Sequence, residues 1–120
     1  MLDISKNGII TLNRGDSFTL EMDLNIGSAI EPVLYFMTEN DRLYFAIMEP
    51  NQPFEEALVR KEFTKDDQGA NGDVVMIFSS TDTEFLLPGK YYYQVKLLRK
   101  EDENEFIDTV VSKTQFIIVD

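Results

Sequence analysis

Phe18-Thr19-Leu20-Glu21-Met22-Asp23-Leu24-Asn25-Ile26 alternates apolar and polar side chains without a break. A period of two belongs to a pleated strand with one face buried and one face wet. This run therefore predicts a strand whose Phe18, Leu20, Met22, Leu24 and Ile26 point into a core. Composition points the same way. Val, Ile, Thr, Phe and Tyr make up 40 of the 120 residues and Ala only 4, so residues that suit a pleated surface dominate. Further strands are expected near Ile9–Leu12, Val33–Met37, Leu43–Met48, Leu58–Thr64, Val74–Phe78, Tyr91–Leu98, Ile107–Val111 and Gln115–Val119. Turn chemistry separates them: Asn13-Arg14-Gly15-Asp16, Gly27-Ser28, Glu39-Asn40-Asp41, the stretch from Asp67 to Asp73, Pro88-Gly89 and Glu101 to Asn104. Short strands at this spacing predict one all-β domain over residues 1–120, an antiparallel sandwich or barrel of about 7–9 strands.

At most one or two short helical turns are expected. Thr81-Asp82-Thr83-Glu84 has the spacing of a capping box and is stopped by Pro88-Gly89. The other is Phe54-Glu55-Glu56-Ala57, just after Pro53. The acidic run Glu101-Asp102-Glu103-Asn104-Glu105 reads as a solvated hairpin tip.

The chain contains no Cys and no His, so disulfides, thiol nucleophiles and His-based triads or metal sites are excluded. Its 22 acidic and 11 basic residues give a net charge of −11, and the basic residues do not cluster. Nucleic acid and anionic membranes are therefore not expected partners. No apolar run is long enough to span a bilayer, and the polar opening from Met1 to Lys6 is not that of a secretory leader.

The remaining motifs have ordinary explanations. Arg14-Gly15-Asp16 is a tripeptide read by integrins, yet Asn13 to Asp16 also makes a good β-turn between strands. Adjacent carboxylates such as Asp66-Asp67 and Glu55-Glu56 follow from an acidic composition, and nothing places them across a cleft. The loop from Asp66 to Asp73 holds oxygens that could ligate Ca²⁺, but it lacks the Asp-x-Asp-x-Asp-Gly pattern and reads as a polar loop. No cofactor, metal or catalytic residue is expected, and the chain is not read as an enzyme.

Several strands carry apolar residues on both faces. Leu43, Phe45 and Ile47 oppose Tyr44, Ala46 and Met48; Val74, Met76 and Phe78 oppose Val75 and Ile77; Val33, Tyr35 and Met37 oppose Leu34 and Phe36; Phe116 and Ile118 oppose Ile117 and Val119. One sandwich core cannot cover both sets. Either loops such as Pro50–Phe54 or another protein chain must cover the rest. Phe54, Tyr44, Met48 and Tyr92 are the expected interface residues. Phe54 is either a contact anchor or a plug over the end of the sandwich. Tyr44 and Tyr92 could alternatively serve a carbohydrate-recognition or adhesion module as stacking platforms.

Leu87-Pro88-Gly89-Lys90-Tyr91-Tyr92-Tyr93 carries a tyrosine just after a crossover turn, as in the tyrosine corner of immunoglobulin-like sandwiches. Asn7-Gly8-Ile9 leads into Leu12-Asn13-Arg14-Gly15-Asp16-Ser17-Phe18-Thr19-Leu20, and Asp41 to Pro50 follows. Asp82-Thr83-Glu84-Phe85-Leu86-Leu87-Pro88-Gly89-Lys90-Tyr91-Tyr92-Tyr93 comes next, and Lys113-Thr114-Gln115-Phe116-Ile117-Ile118 closes the chain. In order and spacing these segments resemble the small immunoglobulin-like domains of tailed-phage structural proteins, including the N-terminal domain of siphophage upper baseplate proteins. The resemblance covers nearly the whole chain. It implies an immunoglobulin-like sandwich that acts, without catalysis, as a head-decoration, connector, tail or baseplate component. Its expected partners are other virion proteins or further copies of itself. Its expected location is the virion, after synthesis in the host cytoplasm. Relatives of this kind continue into further domains, so a chain ending at Asp120 is expected to act as a stand-alone subunit.

Overall fold

The computed structural model describes residues 2–27 and 30–120. Ten strands occur among them: β1 (Leu2–Ile4), β2 (Ile10–Asn13), β3 (Phe18–Asp23), β4 (Asn25–Gly27), β5 (Pro32–Leu34), β6 (Arg42–Met48), β7 (Val59–Phe63), β8 (Asp73–Phe78), β9 (Gly89–Glu101) and β10 (Asn104–Val119). The all-β class follows directly. Helical structure is confined to the turns Phe54–Glu56 and Lys65–Asp67 and to one four-residue helix, α1 (Ser80–Thr83).

The strands form a six-stranded sheet in the order β1-β2-β10-β9-β6-β7, a separate β3–β8 ladder, and a short β4–β5 hairpin. The expectation of a purely antiparallel arrangement is corrected at one place. β2 runs parallel to β10, with Ile10 beside Phe116 and Asn13 beside Val119. The start of the chain thus lies along its last strand, and the large sheet is mixed.

The opening run alternates as its sequence demands. Phe18, Leu20 and Leu24 are buried while Thr19, Glu21, Asp23 and Asn25 are exposed. It is nevertheless broken at Leu24 into β3 and β4, whose partners are different strands. At the other end two expected strands fuse into β10, and register shifts at Thr109/Val111 and Val111/Thr114 mark bulges where the alternation slips. These two changes, together with β1, take the count from about 7–9 to ten. Ser28 of the expected Gly27-Ser28 turn lies outside the described residues.

The helical turns also number three rather than at most two. The additional one, Lys65–Asp67, is capped by Thr64, whose N–H donates to Asp67 Oδ2 at 2.9 Å. That is the capping-box geometry in a sequence without a helical period. α1 begins earlier than expected, because the box is set by Ser79, whose N–H donates to Asp82 Oδ2 at 2.8 Å.

The core lies between the β3–β8 ladder and the large sheet. Phe78 sits at its centre, stacked on Phe18 at 4.4 Å and meeting Phe45 and Phe63 edge-on at 4.9 and 5.8 Å. Phe45 stacks on Tyr93 at 5.3 Å, and Tyr93 meets Phe116 edge-on at 6.3 Å. Six rings from both layers thereby interlock, with Phe78 and Phe45 at the centre, in the offset and edge geometries that aromatic pairs prefer. At one margin Lys61 of β7 joins the layers. Its ammonium donates to Asp82 Oδ2 and to the Ile77 carbonyl, both at 2.7 Å. Burial alone would raise the Asp82 carboxyl; Lys61 and the Ser79 N–H outweigh it and hold that group below its ordinary value.

Two tyrosine hydroxyls fix loops to β9. Tyr91 donates to the Leu87 carbonyl at 2.7 Å, four residues upstream. Tyr93 donates to the Gly8 carbonyl at 2.6 Å. Gly8 has φ +81°, and a Cβ there would meet Tyr93 Oη at 3.3 Å, so the turn before β2 favours glycine twice over. Arg14-Gly15-Asp16 is a turn with Gly15 at φ +83° and Asp16 N–H donating to the Asn13 carbonyl at 3.1 Å. It does not close a hairpin: β2 belongs to the large sheet and β3 to the β3–β8 ladder, so the turn carries the chain from one to the other.

Across the β3–β8 ladder, Asp23 stands directly opposite Asp73. Asp73, through a side-chain hydrogen bond and its negative charge, raises the Asp23 carboxyl above its ordinary value. A raised carboxyl opposes folding once both groups ionise. Asp23→Asn is therefore expected to raise the melting temperature near neutral pH. The gain should vanish as pH falls below about 4, where an unfolded carboxyl also takes up its proton. Equal melting of both proteins across that range would count against the repulsion.

Candidate interaction surface

The outer face of the large sheet is built from alternate positions of β6, β7, β9 and β10. Tyr44 pairs with Lys96, and Ala46 with Gln94 and Arg60. Met48 pairs with Tyr92, and Leu98 with Ile107. The loop between β6 and β7 folds over this face. Its Phe54–Glu56 turn follows Pro53, whose extended backbone ends the loop's approach. Lys113 of β10 donates to the Gln52 carbonyl at 3.1 Å and ties the loop down from the far side.

Phe54 thereby comes to lie between two cations. Lys96 Nζ is 4.7 Å from the centre of its ring and the Arg60 guanidinium carbon 5.7 Å. Arg60 also lies 4.6 Å over the ring of Tyr44. Such contacts are worth about 0.5–1 kcal/mol each at a partly exposed site. Beside them opens a cavity of about 270 Å³, floored by Tyr44, Leu98 and Ile107 and flanked by Arg60, Lys96, Glu55 and Glu105. Ile107, one of the lining residues, is 70% exposed. Glu105 pairs with Lys100 at 3.4 Å. Among the described residues neither Arg60 nor Lys96 makes an ion pair.

All four expected interface residues share this outer face, but not one environment. Tyr44 and Phe54 line the cavity together. Tyr92 is half-buried further along β9. Met48 is fully buried, and Ala46 with it, so Met48 offers no surface to a partner. Of the two covers expected for this face, the chain's own loop supplies the one over β6. The stacking role considered for Tyr44 meets an obstacle, because Arg60 already occupies a position over its ring. Arg60 and Lys96 escaped notice in the sequence because 35 residues separate them. The only signal was a basic residue at an alternate position of each strand.

Phe54 is half-buried on the outer face of the sheet, where it lines the cavity, and does not plug the buried core. Phe54→Ala is expected to cost about 1–2 kcal/mol through its two lost cation–aromatic contacts and reduced burial, measured by urea unfolding. The circular dichroism of a folded β protein should remain. A loss above about 3 kcal/mol would place it instead among the core rings.

Other apolar faces stay open. Ile77 of β8 is 63% exposed, and Val33, Leu34 and Phe36 are exposed around β5. Phe85 and Leu87 project from the segment between α1 and β9, 55% and 65% exposed, while Leu86 between them is buried.

The Asp66–Asp73 loop spends its polar groups locally. Asp67 caps the turn that begins at Thr64, and Asn71 Oδ1 accepts from the Asp73 N–H at 3.2 Å. Gln68 ties the segment after β5 to the turn before β8, accepting from the Met37 N–H and donating to the Tyr35 and Gly72 carbonyls at 2.8–2.9 Å. Among the described residues no group of three or more metal-ligating side chains assembles.

Asp41 is the one buried carboxylate among the described residues. It accepts from the Tyr35 hydroxyl at 2.5 Å, the Thr38 N–H at 2.8 Å and the Lys100 N–H at 3.0 Å. Burial pushes its carboxyl up, and these donors more than offset that, leaving it below the usual range. The same burial and hydrogen bond push the Tyr35 hydroxyl up to about 12. Asp41 thus ties the turn before β6 to the arm of the β9–β10 hairpin. Its inward, fully paired geometry is that of a structural clasp.

Comparison with protein-family models, with curated proteins and with solved structures finds no match to this chain.

Proposed function

We propose that the chain is a non-enzymatic structural subunit of a tailed-phage virion, an immunoglobulin-like sandwich that works through contacts with other virion proteins. The observation that carries this reading is the set of apolar side chains left on the outward faces of an otherwise well-packed domain: Ile77, Val33, Leu34, Phe36, Phe85, Leu87 and Ile107. Apolar surface of this kind is what neighbouring subunits cover. A net charge of −11 keeps such a surface soluble until it is covered.

The immunoglobulin-like assignment is supported by the two packed layers, by a short helix leading into β9, and by the Tyr91 hydroxyl bonded to Leu87 four residues upstream. The phage assignment rests on the ordered segments around Arg14-Gly15-Asp16, Leu87-Pro88-Gly89 and the closing strand. The test is complementation of particles lacking the chain. Ile77→Lys and Phe36→Lys, both on open faces, should fold normally and enter particles poorly. Undiminished incorporation of both would overturn a role for these faces.

A further inference from the structure

The cavity on the outer sheet face has a chemical character that the rest of this acidic chain lacks. Arg60 and Lys96 are held against aromatic rings, with no ion pair to either among the described residues. Glu55 lines the same cavity and stays out of pairing distance, and Glu105 is engaged by Lys100. A guanidinium stacked on a ring keeps its N–H edge free, and that edge matches a carboxylate. The floor of Tyr44, Leu98 and Ile107 is apolar. An apolar cavity of about 150 Å³ holds a benzene ring. The volume here, about 270 Å³, admits an aromatic side chain as well as the end of a carboxylate.

A complementary knob stands elsewhere on the same molecule. Glu84, Phe85 and Leu87 are exposed in succession after α1, and among the described residues the Glu84 carboxylate has no ion-pair partner. The knob is held in place from below. Leu86 is buried, the Leu86 N–H donates to the Thr83 carbonyl at 2.9 Å, and Tyr91 and Arg14 donate to the Leu87 and Glu84 carbonyls at 2.7 and 3.3 Å. A segment fixed before contact loses little freedom on binding. It cannot reach its own cavity. β9 begins at Gly89, and Lys96 lies seven residues along it, roughly 23 Å at about 3.3 Å per residue.

We propose that this cavity receives the Glu84-Phe85 knob of a second copy of the chain, the Glu84 carboxylate meeting Arg60 and Lys96 and the Phe85 ring lying on Leu98 and Ile107 beside Tyr44. Knob and cavity are different surfaces, so the contact is head-to-tail and propagates into rings or filaments instead of closing as a two-fold dimer. It rests on the reading of the chain as an assembly subunit and names one of its partners.

Charge exchange tests it. Sedimentation velocity of the wild-type chain from about 10 μM to about 1 mM covers the range expected for a small contact. Weight-average mass should climb with concentration and fall back at high salt. Arg60→Glu and Glu84→Lys should each weaken association by at least about tenfold while keeping the wild-type circular dichroism. An equimolar mixture of the two variants should associate again, since Glu84 of the first variant then meets Arg60 of the second, and Lys at 84 of the second faces Glu at 60 of the first. A wild-type chain that stays monomeric throughout, single variants that associate like the wild type, or a mixture that stays monomeric would each overturn the proposal. A chain found in particles yet monomeric in solution overturns this contact and leaves the broader reading standing.

Discussion

Phe78→Ala is expected to remove about 3–5 kcal/mol of stability, the largest loss available to one substitution in this chain. The ring is 1% exposed and touches Phe18, Phe45 and Phe63, so its removal opens a cavity bounded by both layers. The neighbours are themselves rings in a strand lattice and cannot collapse into the space without breaking their own stacking. Since a domain of this size is stable by about 5–15 kcal/mol in total, the variant should retain a small margin at best. Urea unfolding would show a midpoint lowered by more than about 1 M. Phe85→Ala gives the contrast: that ring is 55% exposed and its loss should stay within about 0.5 kcal/mol. Similar losses at the two positions would mean that the core is not centred where the ring contacts place it.

Asp41→Asn should come second, at about 2–4 kcal/mol. Three donors converge on this buried carboxylate, from Tyr35, Thr38 and Lys100. An amide presents one oxygen and turns an N–H₂ toward a donor, leaving at least one buried N–H or O–H without an acceptor. The pH dependence carries a sign. The folded carboxyl lies below its ordinary value, so its contribution is fully present above the unfolded value near 4 and is lost as pH falls through the lower folded one. The gap in stability between wild type and Asp41→Asn should accordingly be constant from about pH 6 to pH 8 and narrow in acid below about pH 4. A gap that widened in acid would show that the carboxyl is not held ionised by these donors.

The alternation of Phe18 to Ile26 was readable in the sequence because side-chain period is a local property, and the burial of Phe18, Leu20 and Leu24 follows it. Its interruption at Leu24 was not, because both halves keep the same alternation and only their pairing partners differ. The same holds for β10. Ser112-Lys113-Thr114 reads as a gap between two strands, whereas bulges carry the ladder through it. The parallel pairing of β2 with β10 joins residues about 106 positions apart, a relation with no local signature. Tyr91 was legible as a loop anchor because its acceptor is only four residues away.

The surface divides similarly. Tyr44 and Phe54 could be named from their apolar or aromatic character on a second face. Met48 has the same character but is fully buried, a tertiary fact. Arg60 and Lys96 gained their meaning only when β7 and β9 placed them on either side of a loop residue.

The central proposal, that this domain is a virion subunit acting through its outward faces, is tested most directly by quantitative mass spectrometry of tailed-phage particles purified from the source that encodes the chain. The account predicts the chain at a fixed copy number per particle, with cross-links from Lys96 or Lys113 on the outer sheet face to a virion protein. Its absence from particles, or trace amounts that vary between preparations, would contradict the account.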